Sequence, residues 1–200
     1  MTTIVAISAG LSDPSTTRML ADRLAASVRE QFGDASVELV SLRELAHDIT
    51  DATLTGFASP RLQNVIDQVV AADGLIVVTP IFKASYPGLF KSFVDALDAD
   101  ALVGKPVLLA ATGGTARHSL AIDHALRPLF AYMQALVVPT GVFASTYDWG
   151  TEGSNALSQR IDRAASELTN LLKGAGTGRT RTDDVDMFSD TFLSISQPRT

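Results

Sequence analysis

The sequence predicts an α/β domain in which a doubly wound, five-stranded parallel sheet carries helices on both faces. The first observation is a regular alternation of short apolar runs with longer amphipathic stretches, which occurs five times along the chain. The second is the run Leu75–Val78, a continuous apolar segment rich in β-branched residues that lies between Gly74 and Pro80. A short run of this kind is typical of a strand buried on both faces of a parallel sheet.

Each of the five predicted strands is a short apolar run. The runs are Ile4–Ile7, Val37–Leu42, Leu75–Val78, Val107–Ala111 and Val137–Ala144. Pro139 and Gly141 interrupt the fifth run, which is typical of an edge strand or a bulge. Five strands with a polar turn after the first one fit the flavodoxin-like order 2-1-3-4-5, in which a ligand binds at the switch between strands 1 and 3.

Helices are predicted where apolar residues recur every three or four positions. In the first helix this stripe consists of Leu20, Leu24, Val28 and Phe32. The same spacing predicts helices over residues 61–71, 87–97, 118–133 and 155–172, whereas residues 46–59 are expected to be irregular. Pro128 lacks the N–H that would bond the carbonyl of His124, so we expect a local irregularity in the helix over residues 118–133.

The chain length suits one domain with a sizeable core. We predict that this domain covers residues 1–173 and that the Gly- and Thr-rich segment after it begins a flexible tail, residues 174–200. The tail contains a small apolar cluster formed by Met187, Phe188, Phe192, Leu193 and Ile195. Two alternatives stay open: a frayed end, and a segment that docks on its own domain or on a neighbouring subunit.

The composition excludes several classes of protein. Sixteen basic residues against 22 acidic ones give a net charge of −6, which argues against a nucleic-acid partner because phosphate neutralisation needs a clustered positive face. The absence of cysteine excludes disulfides, thiol nucleophiles and thiolate metal sites. The N-terminus does not resemble a signal peptide, and no apolar run approaches the ~18 residues of a membrane span. We therefore expect a cytoplasmic protein without a membrane partner.

Hydroxyl side chains crowd the first loop, Ser8–Thr17, which joins the first strand to the first helix. Four of them stand at the predicted helix start: Ser12, Ser15, Thr16 and Thr17. A helix N-terminus presents unpaired N–H groups and a partial positive charge, so this turn is a natural phosphate cradle. Simple N-capping is the alternative, but a cap needs only one hydroxyl. Neither the dinucleotide fingerprint G-x-G-x-x-G nor a P-loop occurs here.

Two further loops lie at the same edge of the predicted sheet. The second loop, Pro80–Tyr86, carries Lys83 and Ser85, polar side chains that the fold does not need. The third loop, Thr112–Thr115, places two glycines where a flat ring could approach the backbone closely. A phosphate site at one end and a planar polar ring edge at the other describe FMN.

No strong set of catalytic side chains accompanies these loops. The three histidines do not form a Ser/His/Asp triad with the residues around them, the G-x-S-x-G elbow is missing, and the group around His118 and His124 lacks metal-ligand spacing. We therefore expect no metal and no catalytic residue, which is consistent with a flavin enzyme because its cofactor carries the reaction.

The second and third loops resemble those of the NADPH-dependent FMN reductases. The segments that carry this resemblance are Thr79–Lys91, Leu102–Pro106 and Ala111–Pro128, and the likeness extends from about residue 3 to residue 145. It is closest to the reductase component of two-component alkanesulfonate monooxygenases. The first loop is similar to the family motif G-S-x-R-x-x-S-x-N and matches it at Ser15. It departs from the motif at four positions, occupied here by Ala9, Gly10, Ser12 and Thr17.

The resemblance implies a flavodoxin-like homodimer or homotetramer in which NADPH passes a hydride to FMN. Reduced FMN would then leave for a partner flavin-dependent monooxygenase. The second loop would line the isoalloxazine and ribityl groups, with Lys83 as a candidate stabiliser of charge at flavin N1/O2, and the third loop would meet the pyrimidine edge. With the first-loop hydroxyls, the predicted cofactor-binding residues are Ser8, Ser12, Ser15, Thr16, Thr17, Pro80, Ile81, Phe82, Lys83, Ala84, Ser85, Thr112, Gly113, Gly114, Thr115, and, as nucleotide contacts, Arg117 and His118.

Two other functions stay open. One is an NAD(P)H quinone or azo-dye reductase that holds FMN tightly, and the other is a non-catalytic FMN electron carrier, which the length and mild acidity argue against. The third loop has no Trp or Tyr to stack on the ring, which favours a weakly held flavin. The resemblance also places Asp123 and His124 in a subunit-contact helix, where the alkanesulfonate reductases carry Tyr in place of His124 and widen the helix locally.

Overall fold

A computed structural model describes residues 1–150 and 153–175. Its strands are β1 (Thr2–Ser8), β2 (Ala35–Ser41), β3 (Gly74–Pro80), β4 (Pro106–Gly113), β5 (Leu136–Val137) and β6 (Val142–Ser145). All pair in parallel in one sheet of order β2-β1-β3-β4-β5, with β6 also paired to β4. The predicted doubly wound sheet and its flavodoxin-like order are confirmed.

The helices connect these strands across both faces of the sheet. They are α1 (Thr16–Phe32), α2 (Ala46–Thr55), α3 (Pro60–Ala71), α4 (Gly88–Asp95), α5 (Arg127–Tyr132) and α6 (Ser154–Ala175). Helices α1 and α6 cover one face, and α2 to α5 pack on the other. Between the two layers every residue of β3 is buried, as the apolar run predicts. No helix in the described part of the chain is long and apolar enough to cross a membrane.

The expectation of an irregular stretch over residues 46–59 is wrong, because α2 occupies most of it. This helix buries only Ile49 and Ala52, so its sequence lacks a full apolar stripe. Three threonines, which disfavour a helix by propensity, donate their hydroxyls to the carbonyl four residues earlier: Thr50, Thr53 and Thr55. Packing against α4 and α3 therefore stabilises a helix that the apolar periodicity of its own sequence does not predict.

The fifth predicted strand is divided as expected at Pro139 and Gly141. Its first part, β5, pairs with Pro106–Val107 at the start of β4. Its second part, β6, pairs with Ala110–Gly113 at the end of β4. The carboxyl end of β6 consequently lies at the same edge of the sheet as the ends of β1, β3 and β4.

The predicted helix over residues 118–133 is also divided. A 3-10 turn, Ala116–His118, precedes a π-helical turn, Ile122–Leu126, and α5 continues from there. In the π-helical turn the N–H of Arg127 donates to the carbonyl of Ile122, five residues earlier. The local irregularity expected next to Pro128 is confirmed.

Helix α6 reaches Ala175, two residues beyond the predicted end of the domain. Gly174 and Ala175, assigned to the tail by composition, are thus helical. The remainder of the predicted tail, residues 176–200, lies outside the described residues, and so does its apolar cluster.

Candidate functional site

A cleft of about 500 Å³ opens at the carboxyl ends of β1, β3 and β4. It is lined by Leu11, Ser12, Thr16, Thr17, Met19, Pro80, Ile81, Phe82, Thr112, Gly113, Gly114, Thr146 and Trp149. Strands β1 and β3 are neighbours in the sheet although they are not consecutive in the chain. The cleft therefore lies at the switch point where sheets of this order bind ligands.

The hydroxyl side chains of the first loop have different positions: some are buried or cap α1, and others line the cleft. Ser15 is the N-cap of α1, and its Oγ accepts a hydrogen bond of 3.2 Å from the N–H of Arg18. Ser8 is buried and does not line the cleft, whereas Ser12 and Thr16 are exposed and do. Capping therefore accounts for Ser15, and two exposed hydroxyls remain beside a helix N-terminus that suits a phosphate.

Thr112 joins the three loops. Its Oγ1 lies 2.8 Å from Oγ1 of Thr17, in a buried hydrogen bond between the third and first loops. Its carbonyl oxygen accepts a hydrogen bond of 2.8 Å from the N–H of Ile81 in the second loop. The three loops thus meet at one residue, as the sequence predicts for the ends of adjacent strands.

The second loop contains a tight turn with two residues in left-handed backbone conformation. Phe82 and Ser85 exchange backbone hydrogen bonds of 2.8 and 3.1 Å, with Lys83 at φ 50° and Ala84 at φ 69° between them. Residues other than glycine adopt this backbone conformation at a cost of about 1–2 kcal/mol. Lys83, Ala84 and Ser85 are not among the residues that line the cleft, whereas Phe82 lines it with a half-exposed ring.

Two glycines in the first and third loops lie where a side chain would clash with its neighbours. A Cβ added at Gly10 would lie 2.2 Å from Oγ of Ser15, and one added at Gly113 would lie 2.9 Å from Cζ of Phe143. Side chains at these positions would displace the phosphate-loop cap or the wall behind the third loop. A Cβ added at Gly114 would meet no atom within 4 Å, and Gly114 lines the cleft. Unsubstituted backbone at this position leaves room for a flat ligand to approach closely.

The turn after β6, Thr146–Trp149, supplies a cleft wall that sequence analysis missed. It contributes Thr146 and Trp149 to the lining. The guanidinium of Arg23 on α1 lies 4.9 Å from the centroid of the Trp149 ring. The signal in the sequence is the chain's single tryptophan directly after the last strand, since all parallel strands end at this edge. Leu11 and Met19 were missed as well, because apolar side chains at a helix start carry no distinctive signal.

Hydrogen bonds and an ion pair fix this turn. Oδ2 of Asp148 accepts from the N–H and the hydroxyl of Ser145 at 2.8 and 2.6 Å, and its Oδ1 pairs with Arg160 at 2.5 Å. Burial alone would raise the pKa of Asp148. The hydrogen bonds from Ser145 and the adjacent Arg160 outweigh burial and hold that pKa below its ordinary value. The carboxylate is therefore charged at neutral pH and holds Trp149 in place.

A second cavity of about 730 Å³ lies on the other side of the third loop. Gly114 lines both cavities, and Thr115 lines only the second one. Arg117 and His118, predicted as nucleotide contacts, line neither. The Nδ1 atom of His118 is buried behind Gly113 without a hydrogen-bond partner among the described residues. Within that part of the chain, no three His, Asp or Glu side chains could hold a metal ion.

The fold is that of a flavodoxin-like α/β protein, with a cleft at the β1/β3 switch point. Residues 2–150 match the family model described as NADPH-dependent FMN reductase. The chain belongs to this family, as the motifs in its second and third loops predict.

Individual relatives agree with this assignment. The chain is 40% identical over 173 residues to an FMN reductase (NADPH) from Pseudomonas aeruginosa, an alignment that covers 86% of the chain and 92% of the relative. It is also 40% identical over 171 residues to the NADH-dependent FMN reductase SfnE from Pseudomonas putida, with 84% and 91% covered. An oxidoreductase structure from Corynebacterium diphtheriae is 49% identical, with a TM-score of 0.82 and coverage of 87% and 98%. The chain is thus an oxidoreductase of the NADPH-dependent FMN reductase family.

Proposed function

We propose that this enzyme binds FMN as a substrate in the cleft, reduces it with NAD(P)H, and releases reduced FMN to a partner flavin-dependent monooxygenase. The observation that carries the proposal is the convergence of three strand-end loops on one cleft whose described lining residues include no ionisable acid or base. The first loop also lacks the arginine of the family motif and has Ser12 in its place, which favours weak retention of the phosphate.

The residues around the cleft divide into two ends. Ser12, Thr16 and the free N–H groups at the start of α1 would hold the FMN phosphate. Pro80–Phe82 and Trp149 would flank the ring, and the backbone at Gly113 and Gly114 would meet its polar edge. When bound, FMN supplies the hydride acceptor. The protein contributes orientation and backbone dipoles, which stabilise negative charge without a proton-transfer residue.

Three exposed apolar side chains border this cleft. Leu11 is 40% exposed, Met19 46% and Phe82 49%. Large apolar groups gathered around one opening are typical of a ligand-binding groove. In the proposed complex they exclude water from the ring, which strengthens each electrostatic contact with it. Ser15 and the Thr17–Thr112 pair keep the two ends in place, and Lys83 at the loop tip remains a candidate for charge stabilisation.

Oxidation of NAD(P)H by the purified protein tests the proposal. We expect a colourless preparation that oxidises NADPH or NADH only after FMN is added. Ultrafiltration of the anaerobic reaction should then recover reduced FMN in the filtrate. No oxidation with FMN present would contradict the proposal.

A tightly bound flavin is the second candidate, and Trp149 is the observation that favours it. Trp149 lines the cleft together with the start of the second loop, and aromatic stacking on the flavin ring would add affinity. A yellow preparation that keeps FMN through gel filtration and reduces a quinone or azo dye would establish this alternative.

The proposal also includes a homodimer or homotetramer in the cytoplasm. A large aromatic side chain is exposed on the helix that the family resemblance assigns to subunit contact, with Tyr132 79% exposed. Light scattering should give a mass two or four times that of the 21.2 kDa chain. A monomer at micromolar concentration would exclude this part of the proposal.

A further inference from the structure

The second cavity, called the side cavity below, has a mixed lining. Its residues are Gly114, Thr115, Ala116, Ser119, Leu120, Ile122, Asp123, Pro139, Gly141, Phe143, Ser145, Tyr147, Asp148 and Arg160. Ligand sites for small molecules are commonly clefts of about 300–1,000 Å³ with apolar walls and a few polar groups, and the side cavity has both properties.

The side cavity and the cleft have lining elements in common. Gly114 lines both spaces. The turn Thr146–Trp149 also serves both, because Thr146 and Trp149 line the cleft whereas Tyr147 and Asp148 line the side cavity. A molecule that extends past the flavin at Gly114 would therefore enter the side cavity directly.

The lining of the side cavity combines apolar and polar side chains. Leu120, Ile122 and Phe143 are three of its large apolar residues, which suit a flat purine ring. Ser119 and Asp123 line the same cavity; Ser119 precedes the π-helical turn and Asp123 is the second residue of that turn. Hydroxyl and carboxylate oxygens in this position accept hydrogen bonds from the hydroxyl groups of a ribose.

The charges of the side cavity are already paired. Arg160, the cation among its described lining residues, is bound to Asp148 and also donates to the carbonyl of Phe143 at 3.2 Å. Asp123 pairs through Oδ1 with Nε of Arg127 at 3.0 Å, and Arg127 donates in addition to the carbonyls of Val138 and Pro139 at 3.0 and 2.9 Å. A phosphate entering the cavity would meet two carboxylates and no uncommitted cation among these residues.

We propose that the side cavity receives the adenosine half of the nicotinamide dinucleotide, and that Asp123 favours a ribose 2′-hydroxyl over a 2′-phosphate at this site. The proposal rests on the reductase function above and adds a nucleotide subsite to it. In dinucleotide sites generally, an acidic residue binds the 2′-hydroxyl of NADH, whereas an arginine accommodates the 2′-phosphate of NADPH. Asp123 is the acidic group here. Arg117, the exposed cation nearby in sequence, does not line the cavity.

The first test is calorimetric titration of the full chain with ADP-ribose and with 2′-phospho-ADP-ribose. Neither probe carries nicotinamide, so binding reports on the side cavity without hydride transfer. We expect ADP-ribose to bind, to compete with NADH, and to bind at least as tightly as its 2′-phosphorylated form. The proposal is overturned if ADP-ribose fails to bind, or if the phosphorylated probe binds more tightly.

The second test compares the ratio of kcat/KM for NADH to that for NADPH in matched variants. Asp123→Asn removes one carboxylate and releases Arg127, so the ratio should fall by about fivefold at low ionic strength, and less at high salt. Asp95→Asn is the control, because it breaks the equivalent i,i+4 pair with Lys91 on α4, away from the cavity. A ratio that changes equally in both variants would overturn the assignment of Asp123.

Two further variants keep the proposal testable if Asp123→Asn folds poorly. Ser119→Arg adds a cation to the lining, and it should improve kcat/KM for NADPH selectively. Arg117→Ala should leave the ratio unchanged, and a selective loss of NADPH activity in this variant would place the 2′-phosphate outside the side cavity. If no nucleotide reduces FMN, the reductase function fails, while the ADP-ribose titration still decides the cavity.

Discussion

The hydroxyl oxygens of Thr17 and Thr112 lie 2.8 Å apart in the interior, although 95 positions separate the two residues in the chain. Thr17 is in the first turn of α1, and Thr112 is near the end of β4. The hydrogen bond fixes the distance between the part of the cleft that suits a phosphate and the part that suits a flat ring. Both residues were predicted to contact the cofactor, and their pairing gives them a positioning role as well.

Removing this hydrogen bond should weaken both the fold and FMN binding. Thr17→Val or Thr112→Val leaves one buried hydroxyl without a partner, which costs about 1–3 kcal/mol of unfolding free energy. The double variant should lose less than the sum of the single losses, because no unpaired hydroxyl remains. Urea unfolding measures the free energies and steady-state kinetics measure KM for FMN. Thr17→Ser, which keeps the hydroxyl, is the control, and additive losses would argue against the pair.

Variants of Ser15 distinguish its role as an N-cap from a role in phosphate binding. Ser15→Ala should reduce the free energy of unfolding by about 1 kcal/mol, because it removes the N-cap of α1. Ser15→Asp should restore stability, since Asp is also a good N-cap, but its charge should raise KM for FMN more than KM for riboflavin, which has no phosphate. Equal effects on the two flavins would show that the phosphate is held elsewhere.

Trp149 should report flavin binding directly. It is the only tryptophan in the chain, so titration with FMN should quench the protein's tryptophan emission. Trp149→Leu should weaken FMN and riboflavin binding alike, by roughly two- to tenfold, because stacking acts on the ring that both share. Flavin fluorescence measures the affinity of this variant. Unquenched emission at saturating FMN would place the ring away from Trp149.

A glycine in the left-handed turn of the second loop should increase the stability of the protein. Ala84→Gly places the residue best suited to φ 69° at that position, and we expect about 0.5–1 kcal/mol of added stability and a Tm rise of a few degrees. Ala26→Gly, on the exposed side of α1, is the control and should destabilise by about 1 kcal/mol. A loss of stability in Ala84→Gly would mean that the turn is held by its side chain.

Asp148 should make the fold sensitive to acid. Its pKa lies below the ordinary value when folded, so the ionised carboxylate stabilises the protein above the unfolded pKa of about 3.9. That stabilisation is lost as the pH falls through the lower, folded pKa. Asp148→Asn should therefore be less stable than the natural chain at pH 7, and the difference should shrink below about pH 4. Unfolding free energies at both pH values measure it, and a constant difference would contradict this role.

The sequence predicted the sheet because its strands are short apolar runs that need both faces covered. Leu75–Val78 is such a run. It belongs to β3, which borders the switch point together with β1, and this position predicted where the cleft lies. Helix α2 was missed because only Ile49 and Ala52 are buried, and its stability comes from tertiary contacts that periodicity does not report. Pro128 did predict the irregular turn, since a missing N–H is a local property.

The site was predicted as far as backbone and strand ends determine it. Ser12, Thr16 and Gly114 line the cleft as expected. Lys83 does not, because the conformation of a tight turn decides where its side chain leads. Trp149 was missed because its contribution depends on how β6 pairs with β4, which the interrupted strand pattern does not specify.

The interruption at Pro139–Gly141 also protects the protein from misassembly. An unbroken border strand would offer a long row of unpaired amide and carbonyl groups to a second sheet. Here that border consists of two fragments, β5 with two residues and β6 with four, and neither is long enough to template an intermolecular ladder. The opposite border, β2, carries an exposed charge at Glu38, which also discourages strand addition. Edge-to-edge pairing with a second sheet is accordingly disfavoured at both borders of the described sheet.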